Sequence, residues 1–285
     1  METDCFTHES KTLDDCRHLV ALDIDGTLLD TGTDVPAITA QAVQSVRAAG
    51  HHVVLATGRS LLGAVPVAES LGLDDGWMVV SNGAITARMT EGVPDGYVVH
   101  ESRTFDVSPA VDLARLRFPE VRVAVEVVGW GYVVTHRFDA GQLNGAQRVV
   151  DQIDELWATP VTRAVLAGAE VGCLVEALQE LGVTATPNSR DWIDVTAPGL
   201  SKATALEGVR EMLRVDPAHT VAIGDGRNDA EMLVWAADGV AMGHAPAPIK
   251  ALAKRVTGTI QENGAATVLQ ALADGLMPMT AIAHS

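Results

Sequence analysis

The chain has 285 residues, which is long enough to bury a sizeable core and indicates two domains. Its formal net charge of −17 excludes a protein that binds nucleic acid through a basic surface. The three cysteines lack the spacing of zinc ligands, and no run of about 18 apolar residues occurs, so we expect a cytoplasmic protein without a membrane segment.

The first part of the chain predicts alternating strands and helices. Residues 1–18 are polar and acidic, and we expect them to form a flexible N-terminal extension. Short, continuous apolar runs, typical of strands covered on both faces of a parallel sheet, follow. They occupy residues 19–22, 53–56, 77–80 and, later in the chain, 220–223. Helical spacing between these runs predicts helices over about 36–49 and 61–71. The sequence therefore predicts an α/β protein with a doubly wound, Rossmann-like parallel sheet.

The middle of the chain has a different pattern. Alternating stretches such as "VRVAVEVVG" and "GYVVTHRF", with helices near 108–117 and 170–181, predict an inserted α+β domain over residues 85–195. The predicted core domain then comprises residues 19–84 and 196–285.

Polar residues follow each of the four predicted core strands. They are Asp23 with Asp25, "TGR" at 57–59, "SNG" at 81–83 and "GDGRND" at 224–229. In an open α/β sheet, ligands bind outside the carboxyl ends of the strands. We therefore expect these four segments to meet at one edge of the sheet and to form a site.

Asp23 and Asp25 lie two residues apart, so they can share one face of a strand until Gly26 turns the chain. Two carboxylates this close repel each other unless a cation lies between them or one keeps its proton. Mg²⁺ suits such oxygen ligands. A calcium-binding loop is excluded because Leu28 and Asp34 occupy the positions that require glycine and glutamate. A dinucleotide-binding fingerprint is excluded because "GDGRND" lacks its third glycine.

Four short motifs occur in order along the predicted core: "DIDGTLLD", "TGR", the lysine of "GLSKATAL" and "GDGRND". They resemble the motifs of the haloacid dehalogenase superfamily, with the spacing of its Cof-type phosphatases, and the likeness extends over about residues 19–262. The resemblance implies a phosphoric monoester hydrolase with an α/β cap, inserted between the second and third motifs, that selects the substrate.

The resemblance also implies catalytic roles for residues in these motifs. Asp23 is the expected nucleophile, which becomes an aspartyl phosphate, and Asp25 is the expected general acid and base. Thr57 and Gly58 are expected to hold phosphoryl oxygens, and Lys202 to offset the negative charge of nucleophile and phosphate.

A Mg²⁺ site is implied at the same edge. Its expected ligands are the Asp23 carboxylate, the Asp25 carbonyl and Asp225. Asp229 completes the expected metal set, and Asn228 is expected to support the site and to bind substrate.

The sequence thus predicts a Mg²⁺-dependent phosphatase that acts on a small phosphorylated metabolite, either as a monomer or as a homodimer. Sugar phosphates are the favoured class, and phosphorylated cofactors such as flavin or pyridoxal phosphates are also compatible. Two alternatives are a phosphomutase of the same superfamily and a catalytically silent metabolite-binding module. Arg59, Asn82, His244 and Arg190 are interpreted as structural residues.

Overall fold

The computed structural model describes residues 17–30 and 32–276. Residues 1–16 of the expected N-terminal extension, with Cys5 and Cys16, lie outside the described residues. Within the described ranges the chain forms two β-sheets flanked by helices.

The strands are, in chain order, β1 (Leu19–Leu22), β2 (His52–Ala56), β3 (Trp77–Val80), β4 (Ile85–Met89), β5 (Tyr97–Ser102), β6 (Arg122–Val127), β7 (Gly131–Val134), β8 (Ala146–Val149), β9 (Arg163–Ala167), β10 (Thr184–Ser189), β11 (Trp192–Thr196), β12 (Thr220–Gly224), β13 (Asp238–Ala241) and β14 (Arg255–Val256). The α-helices are α1 (Ala37–Ala48), α2 (Leu61–Ser70), α3 (Ser108–Arg117), α4 (Val175–Glu180), α5 (Lys202–Leu213), α6 (Ala230–Trp235), α7 (Ala247–Leu252) and α8 (Gly264–Ala273).

The first sheet, which we call the core sheet, has the strand order β14-β13-β12-β1-β2-β3-β4-β5. Its central strand β1 is fully buried and pairs in parallel with both β12 and β2. Val20 and Leu22 pack on the face covered by α1, α2 and α8, whereas Leu19 and Ala21 pack on the face covered by α5, α6 and α7. The predicted doubly wound sheet is therefore confirmed, because alternate residues of one strand are buried under helices on both faces.

The predicted start of the inserted domain at residue 85 is wrong. β4 and β5 pair antiparallel to the edge of the core sheet, so residues 85–102 extend that sheet. The chain reverses directly after β3, with Val80 paired to Ile85, and this hairpin covers an edge that β3 would otherwise expose. An antiparallel edge strand has the same alternating pattern as the strands of the insertion, so the pattern could not assign β4 to either sheet.

The second sheet has the order β10-β11-β9-β6-β7-β8. One face packs against α3 and α4, and the other face carries a smaller apolar cluster around Tyr132 and Phe138. The helix predicted over 170–181 is divided into a 3₁₀ turn at Val171–Leu174 and then α4. The Gly172 N–H donates to the Arg190 carbonyl instead of joining a regular helix.

None of the helices in the described ranges has the length and hydropathy that a membrane-spanning segment requires.

Histidines gather at the amino ends of the central strands, away from the edge where the polar motifs lie. The His18 ring centroid lies 5.0 Å from that of His51 and 5.0 Å from that of His219. Burial, together with His52 and His219, lowers the pKa of His51 below its ordinary value. Burial and Arg17 lower the pKa of His52 in the same way. Protonation of these rings is thus less favourable in the folded protein than in the unfolded chain.

We expect these histidines to reduce stability as the pH falls below about 6.5, the ordinary pKa of histidine. The folded-state pKa values are lowered, so the unfolded chain binds more protons in this window and the free energy of unfolding decreases as the pH falls. His51→Gln removes one such ring, and its amide oxygen can still accept the hydrogen bond from the His18 N–H. Thermal melts at about pH 7.5 and about pH 5.5 should show a smaller fall in Tm for the variant than for the wild type. An equal fall would show that His51 does not contribute.

Candidate active site

The backbone of the core sheet places three predicted site residues at its carboxyl edge. The Asp23 N–H donates to the Ile223 carbonyl at 3.0 Å, which extends the pairing of β1 with β12 by one residue. Asp225 directly follows β12. The Thr57 N–H donates to the Val79 carbonyl at 2.9 Å and extends β2 toward β3. Asp23 and Thr57 are therefore fixed by strand hydrogen bonds, and Asp225 is placed at the same edge because it directly follows β12.

Lys202 joins two of the predicted carboxylates in a buried cluster. Its Nζ donates to Asp23 Oδ1 at 2.7 Å and to Asp229 Oδ1 at 2.6 Å. Lys202 begins α5, which Ser201 caps by accepting a hydrogen bond from the Thr204 N–H at 3.3 Å. Burial alone would lower the pKa of Lys202, but Asp229 and Asp23 outweigh burial and raise it, so Lys202 is held in its charged form.

The loop after β3 lies directly against the start of α5, and this approach requires a glycine. Gly83 has a φ of +98°, and a Cβ there would collide with the Ser201 carbonyl. Ser81 and Asn82 also adopt the left-handed region, with φ values of 52° and 55°. The backbone of "SNG" is therefore adapted to bring the loop beside Lys202.

Asp23, Asp225 and Asp229 form an acidic cluster in which one carboxylate oxygen from each residue lies within 4.8 Å of the others. Burial and Asp229 raise the pKa of Asp23, although Lys202 opposes the shift. Burial, again with Asp229, raises the pKa of Asp225 to about 6. The cluster thus has more negative charge than Lys202 offsets. Such a group of buried carboxylates fits a hard divalent cation.

Asp229 has both carboxylate oxygens engaged by the protein. Oδ1 accepts from Lys202, and Oδ2 accepts from the N–H groups of Asp225 and Gly226 at 2.9 and 2.8 Å. The residue therefore fixes both the lysine and the loop that carries Asp225.

The Asp25 carboxylate lies outside the acidic cluster and is bound by Arg59. Arg59 Nε donates to Asp25 Oδ2 at 2.7 Å, and its Nη2 donates to Asp25 Oδ1 at 2.6 Å. Arg59 Nη1 donates to the Gly63 carbonyl at 3.2 Å, and the Arg59 N–H donates to Thr57 Oγ1 at 3.1 Å. The interpretation of Arg59 as only structural is therefore incomplete, because Arg59 positions the residue predicted as acid and base.

Asn82 and Asn228 connect the loops that follow β3 and β12 with the second sheet. Asn228 Nδ2 donates to Asn82 Oδ1 at 3.1 Å, and Asn82 Nδ2 donates to Asp194 Oδ2 at 3.1 Å. A Cβ on Gly58 would approach Asn82 Oδ1 to 3.1 Å, so glycine also permits this close packing. Gly58 and Asn228, both predicted to bind substrate, thus lie together against Asn82 Oδ1.

The second sheet contributes a buried group of polar side chains that the sequence did not single out. Glu126 Oε2 accepts a hydrogen bond from Ser81 Oγ at 2.6 Å. Arg163 donates to the Gly58 carbonyl and to the Tyr132 hydroxyl, and its Nε lies 3.1 Å from Glu126 Oε2. Glu126 lies within the mostly apolar β6 and Arg163 begins the otherwise apolar β9, which is the one signal that the sequence offered for them.

A crevice of about 570 Å³ separates the carboxyl edge of the core sheet from the second sheet. Asp25, Gly58, Asp225 and Asn228 line it from the core side. From the other side it is lined by residues that include Tyr132, Asn144, Arg163, Asn188, Trp192 and Asp194. A phosphate ester that enters the crevice therefore meets Asp25, Gly58 and Asn228 of the predicted site at one end and the inserted domain at the other.

His244 and Arg190, both interpreted from the sequence as structural residues, differ in their distance from the site. His244 Nε2 lies 3.6 Å from Asp225 Oδ2, so this histidine borders the acidic cluster. Arg190 pairs with Glu170 on the exposed surface and does not line the crevice.

A doubly wound core with an inserted α+β cap, and with these acidic residues and a buried lysine at its carboxyl edge, defines a hydrolase of phosphoric monoesters. The chain belongs to the haloacid dehalogenase-like hydrolase family, which it matches over residues 20–108 and 153–269.

Relatives and solved structures agree with this assignment. The chain is 28% identical over 264 residues to a 5-amino-6-(5-phospho-D-ribitylamino)uracil phosphatase from Bacillus subtilis, covering 89% of this chain and 96% of the relative. It is 31% identical over 238 residues to a phosphoglycolate phosphatase from Natronomonas pharaonis, covering 84% and 90%. A solved phosphatase of the haloalkanoate enzyme superfamily from Bacteroides thetaiotaomicron superposes with a TM-score of 0.74 at 26% identity, covering 95% of this chain and 100% of that chain. The protein is a phosphatase of phosphorylated metabolites.

Proposed function

We propose that the protein is a Mg²⁺-dependent phosphatase that works through an aspartyl-phosphate intermediate. The observation that carries the proposal is the buried Asp23 carboxylate, which directly follows β1 and accepts a hydrogen bond from Lys202, with Asp25 two residues later on the lining of the crevice. Lys202 engages Asp23 Oδ1, which leaves Oδ2 to attack phosphorus.

The proposed first step transfers the phosphoryl group from the substrate to Asp23. Asp23 Oδ2 forms a bond to phosphorus as the bond to the leaving oxygen breaks, and Asp25 gives its proton to that oxygen. Lys202 offsets the charge that gathers on the phosphoryl group, and Thr57 and Gly58 contribute hydrogen bonds to its oxygens.

In the second step water releases the phosphate. The Asp25 carboxylate accepts a proton from water as the water oxygen attacks phosphorus, and the bond to Asp23 breaks. Asp23 returns as a carboxylate, Asp25 returns in its protonated form, and inorganic phosphate leaves. Arg59 holds Asp25 through both carboxylate oxygens, and each oxygen keeps a second lone pair with which Asp25 can engage the leaving oxygen or water.

Asp23, Asp225 and the Asp25 carbonyl would hold the Mg²⁺, with Asp229 supporting the loop of Asp225. The ion would act as a Lewis acid that offsets the charge of the phosphate. The acidic cluster supports this assignment because three carboxylates meet around one lysine, and burial together with Asp229 raises the pKa values of Asp23 and Asp225.

Sugar phosphates remain our favoured substrate class. The two relatives named above act on chemically different esters, a ribitylaminouracil phosphate and phosphoglycolate. Similarity to these relatives therefore does not by itself identify the substrate of this chain. We propose a cytoplasmic enzyme, monomeric or homodimeric, and the free, exposed Cys173 is compatible with a reducing compartment.

A panel of phosphorylated metabolites with Mg²⁺, scored by release of inorganic phosphate, tests the proposed function. We expect stoichiometric phosphate from at least one sugar phosphate or phosphorylated cofactor. Transfer of phosphate between sugar positions without free phosphate would indicate a phosphomutase instead. No turnover of any ester, including 4-nitrophenyl phosphate, would indicate a silent binding module.

Chelation is expected to abolish turnover, and Mg²⁺ to restore it. Ca²⁺ should restore about 10²-fold less activity, because its larger and looser coordination misplaces the Asp23 oxygen for in-line attack. Mg²⁺ should also raise the Tm of the wild type, and raise it less for Asp225→Asn, since an ion that binds the folded state stabilises it. Full turnover after exhaustive chelation would contradict the metal assignment.

A further inference from the structure

The cationic side chains that line the crevice are already engaged by the protein. Among the described residues that line it, these cations are Arg59 and Arg163. Arg59 uses Nε and Nη2 on Asp25 and Nη1 on the Gly63 carbonyl. Both guanidinium edges of Arg59 are thus committed to the core.

Arg163 is surrounded by acceptors and acids. It donates to the Gly58 carbonyl and the Tyr132 hydroxyl, its Nε lies 3.1 Å from Glu126 Oε2, and its Nη1 lies 3.6 Å from Asp194 Oδ2. Only 5% of the residue is exposed. Glu126 and Asp194 both lie within ion-pair distance of Arg163, so two acids face this one arginine. The positive charge of Arg163 is therefore offset by acids on the cap side of the crevice.

Apart from Arg163 and Asp194, the cap side of the crevice is lined by uncharged groups, most of which can form hydrogen bonds. Gln142, Asn144 and Asn188 offer amides, and Trp192 offers an aromatic face whose Nε1 is fixed on Asp194 Oδ1 at 3.1 Å. The cap side of the crevice can therefore bind hydroxyl groups and polar rings. Among the described residues that line the crevice, no uncommitted cation remains to pair with a carboxylate or a second phosphate.

The two arginines are matched by carboxylates on the crevice surface, and the third carboxylate, Asp225, belongs to the expected Mg²⁺ site. Asp25, Asp194 and Asp225 line the crevice together with the two arginines. The net charge of −17 adds a negative field over the whole protein. An anionic group on the substrate, other than the reacting phosphate, would meet like charges that it cannot pair with.

We propose that the crevice selects phosphomonoesters whose organic part is uncharged and rich in hydrogen-bonding groups, and rejects those that carry a second anion. This inference rests on the proposed phosphatase function and narrows its substrate class. The reacting phosphate is the one anion for which the site provides partners.

Matched pairs of substrates test the inference. Glucitol 6-phosphate and 6-phosphogluconate differ by one terminal group, CH₂OH against carboxylate, and glycerol 3-phosphate and 3-phosphoglycerate differ in the same way on a shorter chain. We expect kcat/KM to favour the uncharged member of each pair by at least about 10-fold. Where neither member is hydrolysed, their inhibition constants against 4-nitrophenyl phosphate hydrolysis should show the same preference.

The outcomes separate the inference from the function on which it rests. Equal values for both members, or a preference for the carboxylate, would overturn the inference while the phosphatase function stands. Failure to hydrolyse 4-nitrophenyl phosphate and every ester would overturn the proposed function, and the inference with it.

A variant that adds a cation to the cap side of the crevice provides the reciprocal test. Asn188 is an exposed residue of β10 that lines the crevice, so Asn188→Lys should fold. We expect it to raise kcat/KM for 6-phosphogluconate by about 10-fold and to change the value for glucitol 6-phosphate by less than about 3-fold. Gln179→Lys, on the exposed surface of α4, adds the same charge away from the crevice and should leave both values unchanged. An equal gain in both variants, or no gain from Asn188→Lys, would contradict the inference.

Discussion

Replacing Asp23 by asparagine is expected to reduce phosphoryl transfer by at least about 10⁴-fold, as removal of a catalytic nucleophile commonly does. The amide has nearly the same shape as the carboxylate, but it is a very poor nucleophile. Asp23 is buried, and its other contacts are the Lys202 hydrogen bond and the backbone bond to Ile223. Steady-state release of phosphate and trapping of phosphoprotein should both fall below detection.

The same variant should remain folded, and its Tm in the presence of a chelator should equal or exceed that of the wild type. Burial and Asp229 raise the pKa of Asp23, so the ionised form of Asp23 is unfavourable in the folded state at neutral pH. The asparagine removes that charge, and Lys202 keeps its ion pair with Asp229 at 2.6 Å. Asp34→Asn, at an exposed position of the same loop, is the matched control and should keep full activity. Substantial turnover by Asp23→Asn would show that another residue attacks phosphorus.

The core sheet and the meeting of its four polar segments follow from local sequence. β1 and β3 coincide with the apolar runs at 19–22 and 77–80, because only a strand covered on both faces tolerates such a run. Parallel pairing then brings the residues after each strand to one edge, and the pairing of Leu22 with Ile223 sets Asp23 near Asp225. Fold class and motif positions are therefore predictable from short windows.

The contacts across the crevice are not predictable in this way. Glu126 and Asp194 are single acids in apolar strands, and their partners Ser81 and Asn82 lie 45 and 112 residues away in the chain. Those pairings depend on how the second sheet packs on the core sheet, and the spacing of apolar residues along the chain does not encode that packing. Arg59 shows the same limit at shorter range, since the motif "TGR" does not say which carboxylate its arginine binds.

Changing Asp25 to asparagine should separate the two half-reactions. An alkoxide leaving group needs a proton as its bond to phosphorus breaks, and such general acid catalysis commonly contributes about 10²–10⁴-fold. An aryl oxide such as 4-nitrophenolate leaves without that proton. The first step should therefore slow severely for a sugar phosphate and much less for 4-nitrophenyl phosphate. The asparagine oxygen can still accept a hydrogen bond from Arg59, so the side chain should stay in place.

Hydrolysis of the aspartyl phosphate requires Asp25 as a base whichever substrate formed it. Asp25→Asn fed 4-nitrophenyl phosphate should therefore release one equivalent of nitrophenolate quickly and then stall with phosphate on Asp23. Rapid mixing should record this burst together with trapped phosphoprotein, whereas Asp23→Asn should give neither. Equal slowing of alkyl and aryl esters without a burst would mean that Asp25 transfers no proton. Its contribution would then be limited to the metal site and to its ion pair with Arg59, because those are the roles that do not distinguish one leaving group from another.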